Sequence, residues 1–120
     1  MTEKVATTSH ARRTVEDVEF IDISNRFNAE SAPSIRNSLQ EIVNANNKKI
    51  AINLENATFV DSVALSVLLS GMKAVSGIGG EIILVNISEA VRPIIELTCL
   101  HRVFRIADDD SSAIAKFESS

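Results

Sequence analysis

The run from Lys48 to Val75, KKIAINLENATFVDSVALSVLLSGMKAV, constrains the chain most, because its periodicity changes midway. Its first part, Lys49 to Leu54, is short, apolar and rich in β-branched residues, which reads as a buried strand ending at the polar Glu55-Asn56 pair. Its second part, Asp61 to Val75, carries Leu65, Leu68, Leu69 and Met72 at spacings of three and four, the period of a helix. Between them stands Asp61-Ser62, an acid and a hydroxyl where the helix must start. Short polar side chains there accept hydrogen bonds from unpaired helix N–H groups, and the positive end of the helix dipole favours negative charge. Either residue can therefore serve simply as an N-cap. A hydroxyl in that position is also one that would be stabilised as a phosphate.

The rest of the chain repeats the alternation of strand and helix. ARRTVEDVEFIDI, from Ala11 to Ile23, predicts a short strand, a turn at Glu16-Asp17 and a second strand. Asn25 to Ala29 is turn-like. A helix is expected from about Ala29 to Asn44, with Ala32, Ile35, Leu39, Ile42 and Val43 inward, Arg36, Asn37, Gln40 and Glu41 in water, and Pro33 in the first turn. After a turn at Gly77, Gly79 and Gly80, EIILVN is strongly strand-forming, and Ser88-Glu89 opens another helix with Pro93 near its start. Val103 to Ala107 reads as a short strand, and the acids and serines before Ala113, Ile114 and Phe117 cap a terminal helix. Strands near residues 18, 50, 82 and 104 with helices between them predict an α/β fold. Its sheet is mostly parallel, with the extra N-terminal strand antiparallel at the edge. Residues 1–9 read as a flexible tail and 10–120 as one domain.

No catalytic constellation can be assembled. His10 and His101 are far apart, and with the single Cys99 they do not supply zinc-ligand spacing. Cys99, in the apolar stretch ELTCLHRVF, is expected to be a small buried hydrophobe. GIGG at Gly77 precedes a strand and lacks the Lys-Ser/Thr of a phosphate loop. The triplet Asp108 to Asp110 reads as a solvated cap in preference to a magnesium site. A net charge of −4, no basic run and phenylalanine as the only aromatic type besides histidine argue against nucleic acid. No apolar run reaches membrane-span length and no signal peptide is visible, which predicts a cytoplasmic protein.

The central helix is more informative. With Leu65, Leu68, Leu69 and Met72 toward the sheet, Ser62, Ser66, Ser70 and Lys73 form a polar stripe flanked by Val63, Ala64, Val67, Gly71 and Ala74. Small residues on that flank admit close approach by another surface, so this helix reads either as an interface or as an ordinary amphipathic helix whose small residues tolerate exposure.

The stretches NLENATFVDSVALSVLLSGMKAV and GGEIILVNISEAVRPIIELTCLHRVFRIADD resemble the STAS domain of bacterial anti-sigma factor antagonists, and RFNAESAPSIRNSLQEIV resembles the first helix of that family and its approach. The resemblance covers almost the whole chain. It implies a STAS-like four- to five-stranded mixed sheet with helices mainly on one side, no catalysis and no cofactor or metal. It also implies a partner, a GHKL-type serine kinase that doubles as an anti-sigma factor and phosphorylates the serine after the motif's aspartate; a PP2C-type phosphatase would reverse this. Carried over, the aspartate is Asp61 and the phosphorylated serine is Ser62, and the partner face comprises Arg26, Asn28, Asp61, Ser62, Val63, Ala64, Leu65 and Ser66. Self-association would be weak, with no direct nucleic-acid contact and no membrane insertion. A non-catalytic scaffold or transporter-accessory role is the alternative that the same fold allows. The chain departs from the family pattern at Val63 and Ala64, and at Asn25 and Asn28, where the family usually has glycine and aspartate. In the family, that aspartate helps engage the kinase.

Overall fold

Alternating and continuous apolar runs place strands where a sheet can bury them on both faces, and the amphipathic segments between them become its crossovers. The computed structural model describes residues 10–119 and orders them as β1 (His10–Val15), β2 (Val18–Phe27), α1 (Ala32–Asn44), β3 (Lys49–Val60), α2 (Ser62–Ser76), β4 (Glu81–Val85), α3 (Arg92–Leu97), β5 (Arg105–Ala107) and α4 (Asp110–Glu118). A 3₁₀ turn, Leu100–Arg102, precedes β5. The five strands lie in sequence order; β1 is antiparallel to β2 at the edge, and every other neighbouring pair is parallel. The expected mixed, mostly parallel sheet is thus present. The proposed tail, residues 1–9, lies outside the described residues.

Each face of the sheet has its own core. Ile21, Ile23, Ile50, Ile52, Leu54, Ile82 and Leu84 point to one side, where Ile35, Leu39 and Ile42 of α1, Val67, Leu68 and Val75 of α2, and Ile95 of α3 cover them. At about 1.5–3 kcal/mol for each fully buried aliphatic side chain, this larger layer dominates the hydrophobic stabilisation. Among the described residues, the other face is covered by α4, through Ala113 and Phe117 against Val18, Phe20, Ala51, Ile83, Val85 and Ala107.

That second face also carries a polar network invisible to periodicity. Arg13 of β1 donates to both oxygens of Asp22 at 2.6 and 3.0 Å and to Asp110 of α4 at 2.9 Å, while stacking over the Phe20 ring at 4.2 Å. Buried Asn53 donates to Asp22 at 2.8 Å and accepts from Asn86 at 3.2 Å; the same Asn86 amide also reaches Asp110 at 3.0 Å. Burial raises the Asp22 carboxyl, but bonds from Arg13 and Asn53 outweigh it and leave the pKa below its ordinary value. The network joins three strands and the residue that follows β4 to the start of α4, satisfying polar groups that would otherwise be buried alone.

Several expectations need correction. β3 runs through Glu55-Asn56 to Val60, and β2 runs to Phe27, so Asn25–Phe27 is strand instead of turn. Between Asp22 and Ser24 β3 advances from Asn53 to Asn56, and between Asn25 and Arg26 it advances from Ala57 to Phe59; in each step it has one residue more than β2. Such bulges break the two-residue alternation by which a strand is recognised. Helix α3 is only Arg92–Leu97, with Pro93 in its first turn as expected, and β5 begins at Arg105.

The buried face of α2 is Ala64, Val67, Leu68, Gly71 and Val75; Leu65, Leu69 and Met72 are partly buried. Of the residues assigned to an outer flank, Ala64, Val67 and Gly71 are therefore inside, where the chain's own α1 approaches Gly71, while Ala74 is half-buried and Val63 stays exposed. A Cβ on Gly71 would lie 2.9 Å from Leu39 Cδ1. Gly80 is similarly required, since a Cβ there would strike the Lys48 carbonyl oxygen and come within 2.7 Å of Val75 Cγ2. Cys99 is exposed, not buried: it has φ 59° and follows the end of α3, where the left-handed turn swings it out of the core.

Candidate partner-binding site

The carboxyl ends of β2 and β3 project beyond β4, which pairs with β3 only from Lys49 to Asn53. The two strands close with the Phe27–Val60 pair, and the Asp61 amide donates to the Phe27 carbonyl at 3.2 Å. This bond fixes the corner from which α2 departs. Asp61 is the N-cap of α2: one carboxylate oxygen accepts from the Ala64 amide at 2.9 Å, and the other accepts from the Ala29 amide at 2.9 Å. One side chain thus caps a helix, for about 1 kcal/mol, and ties it to the loop before α1.

Asn28 organises that loop. Its side-chain oxygen accepts from the amides of Glu30 and Ser31 at 3.1 and 3.2 Å, and Ser31 Oγ accepts from the Asn28 amide at 3.0 Å. The reciprocal exchange between Asn28 and Ser31 closes the turn that leads into α1, and the Ala32 amide bonds back to the Asn28 carbonyl at 2.8 Å. Asn25 occupies the left-handed region at φ 63° beside the second bulge. Asparagine is the residue type that, after glycine, tolerates this conformation best.

Ser62 is the first residue of α2 and is exposed, and its hydroxyl makes no hydrogen bond among the described residues. Ser66, also exposed, donates its hydroxyl to the Val63 carbonyl at 2.7 Å. Val63 is 39% exposed. Ala64 is buried and Leu65 packs partly against the core, so these two side chains are turned from the surface that Ser62, Val63 and Ser66 share.

Arg26, exposed near the end of β2, lies with its guanidinium 4.6 Å from the ring centroid of Phe59, its register partner on β3. Phe59 is 40% exposed. Sequence inspection missed it, because the residue sits in a segment whose strand character the bulges conceal; its only signal is a large aromatic within a polar stretch. Among the described residues, no group of three or more histidines, cysteines, aspartates or glutamates is placed to hold a metal ion, and no helix is long and apolar enough to cross a membrane.

The sequence matches the family model described as STAS domain over residues 11–113. It is 30% identical over 105 residues to the TM1081 homolog of Thermotoga neapolitana, whose given name makes it a candidate anti-sigma factor antagonist; the match covers 87% of this chain and 93% of the relative. The crystal structure of TM1081 from Thermotoga maritima, 29% identical, matches with a TM-score of 0.83 over 89% of this chain and 92% of that one. The Bacillus anti-sigma factor antagonist SpoIIAA, 18% identical, shares the fold with a TM-score of 0.72 in both its unphosphorylated and phosphorylated forms, over 92% and 90% of this chain and 99% and 98% of SpoIIAA.

Proposed function

Because the chain belongs to the STAS-domain family of anti-sigma factor antagonists, we propose that it frees a sigma factor by binding the serine kinase that restrains it, and that phosphorylation of Ser62 ends this binding. The observation that carries the switch is the contrast between two hydroxyls. That of Ser62 is exposed and uncommitted among the described residues, on the first residue of a helix, whereas that of Ser66 is already spent on the Val63 carbonyl. A kinase takes the hydroxyl it can reach and orient.

Phosphorylation adds about 1.5 to 2 negative charges beside an Asp61 carboxylate that two backbone amides hold in place. The amides at the start of α2 stabilise the phosphate locally. A docked partner surface, by contrast, meets two adjacent anions where it previously met one. Binding is lost while the fold persists. The kinase is of the GHKL type and a PP2C-type phosphatase restores the active form, both acting in the cytoplasm. This chain acts by association and performs no chemistry of its own.

Native purification of the chain, with mass spectrometry of its companions, identifies the kinase. Incubation with that kinase and ATP followed by site mapping should place phosphate on Ser62. Phosphate on Ser66 with Ser62 unmodified would overturn the assignment, and companions limited to STAS scaffold proteins or a transporter ATPase would favour the accessory role.

A further inference from the structure

Phe59 and Val63 are two of the four large apolar side chains that are exposed among the described residues, and they bracket Ser62 in the chain. Phe59 is not loosely displayed. The Arg26 guanidinium lies over its ring at 4.6 Å, and the Arg26 carbonyl accepts from Ser31 Oγ at 2.9 Å, so side-chain stacking and a backbone bond both hold the pair. Such preorganisation lowers the ordering cost that an exposed arginine normally incurs on binding.

The Arg26 guanidinium differs from the arginines that build the fold. Arg12, Arg13 and Arg105 are each committed to carboxylates. Arg26 has no carboxylate or other hydrogen-bond partner for its guanidinium among the described residues; only its flat face is engaged. Its five N–H donors lie in the guanidinium plane, the geometry that takes a carboxylate bidentately. The pair is also close enough to matter. Phe59 precedes Ser62 by three residues, a span of about 10 Å even if fully extended, and a standard interface covers about 800 Å² on each side.

We propose that Arg26 stacked on Phe59 is the specificity-determining anchor of the partner interface, receiving an aspartate or glutamate of the kinase on the guanidinium fork while an aliphatic side chain covers the Phe59 ring. This rests on the antagonist function proposed above and adds the chemistry of the contact. Arginine and aromatic residues are the types that most often dominate interface energies. The acidic group is specified by the unoccupied fork.

The test measures affinity of the full chain for its co-purified kinase by titration calorimetry, alongside thermal melts of each variant. Arg26→Ala should weaken binding at least 30-fold and Phe59→Ser at least 10-fold, with melting close to that of the parent because both side chains are exposed. Arg26→Lys should fall between the parent and Arg26→Ala, since a single ammonium cannot make the bidentate contact. Arg26→Glu should bind more weakly still than Arg26→Ala, because it opposes one carboxylate with another. Arg36→Ala, on the exposed side of α1, serves as the control and should change affinity less than threefold. If Arg26→Ala binds normally while Ser62→Asp does not, the anchor is wrong and the switch survives. Equal affinities for Arg26→Glu and Arg26→Ala would overturn the acidic contact. Failure of the unmodified chain to bind the kinase would overturn both the antagonist function and the anchor.

Discussion

At the residue scale, two positions carry their conformational or ionic cost visibly. Asn25 sits at φ 63°, where an ordinary L-residue loses roughly 1–2 kcal/mol. Asn25→Ala should therefore destabilise the fold by about that amount, whereas Asn25→Gly should be neutral or slightly stabilising; midpoints of urea unfolding measure both. His10 bonds through Nε2 to Ser38 Oγ at 2.8 Å, and its buried Nδ1 has no partner among the described residues. Burial first, and the nearby Arg12 charge second, lower its pKa below 6.5. The neutral ring is thus the form that folds best. Its contribution is fully present above pH 6.5 and is lost as pH falls through the lower folded value. Melting temperature should drop on acidification below pH 6.5, and less so in His10→Asn. Asp22 gives a separate decline only below its ordinary value of 3.8, so the two windows do not overlap in origin.

At the element scale, the contact between α1 and α2 depends on Gly71. A Cβ there would already lie 2.9 Å from Leu39 Cδ1, which a leucine tip can relieve by turning, and 3.4 Å from Ile82 Cδ1. Gly71→Val adds branched bulk that cannot be relieved this way and should cost about 1–3 kcal/mol, measured by chemical denaturation. Hydrogen exchange should show loosening where α1 and α2 meet at Gly71, while their starts stay tied through Asp61. The staple from Asp61 to Ala29 joins the loop before α1 to the start of α2. Asn28 supports the same loop from within, through bonds that an aspartate would also make. Asparagine in place of the aspartate that the sequence resemblance implies thus preserves the loop while changing its charge.

At the scale of the molecule, the fold separates recognition from stability. The core layers lie along the sheet, while Ser62, Val63, Arg26 and Phe59 are exposed at or near the corner where β2 and β3 outrun β4. A charge added there should leave packing untouched. Ser62→Asp should weaken kinase binding at least tenfold, about 1.4 kcal/mol or more, with a melting temperature close to that of the parent, and Ser62→Ala should remain bound in the presence of ATP. Equal affinities of Ser62→Asp and the unmodified chain in titration calorimetry would refute electrostatic release.

The sequence by itself determined the succession of elements, the mixed sheet with its antiparallel edge and the Asp61-Ser62 corner, because periodicity, capping and turn chemistry act over a few residues. The tertiary structure alone decided which flank of α2 is buried, since that depends on Leu39 arriving from α1. It likewise decided the reach of β2 and β3, whose bulges erase the alternation that would have announced them, and the exposure of Cys99, set by a left-handed backbone turn. The network from Arg13 to Asp110 and the stack of Arg26 on Phe59 join residues far apart in the chain, 97 positions apart for Arg13 and Asp110. Such contacts follow from strand register, which no local pattern encodes.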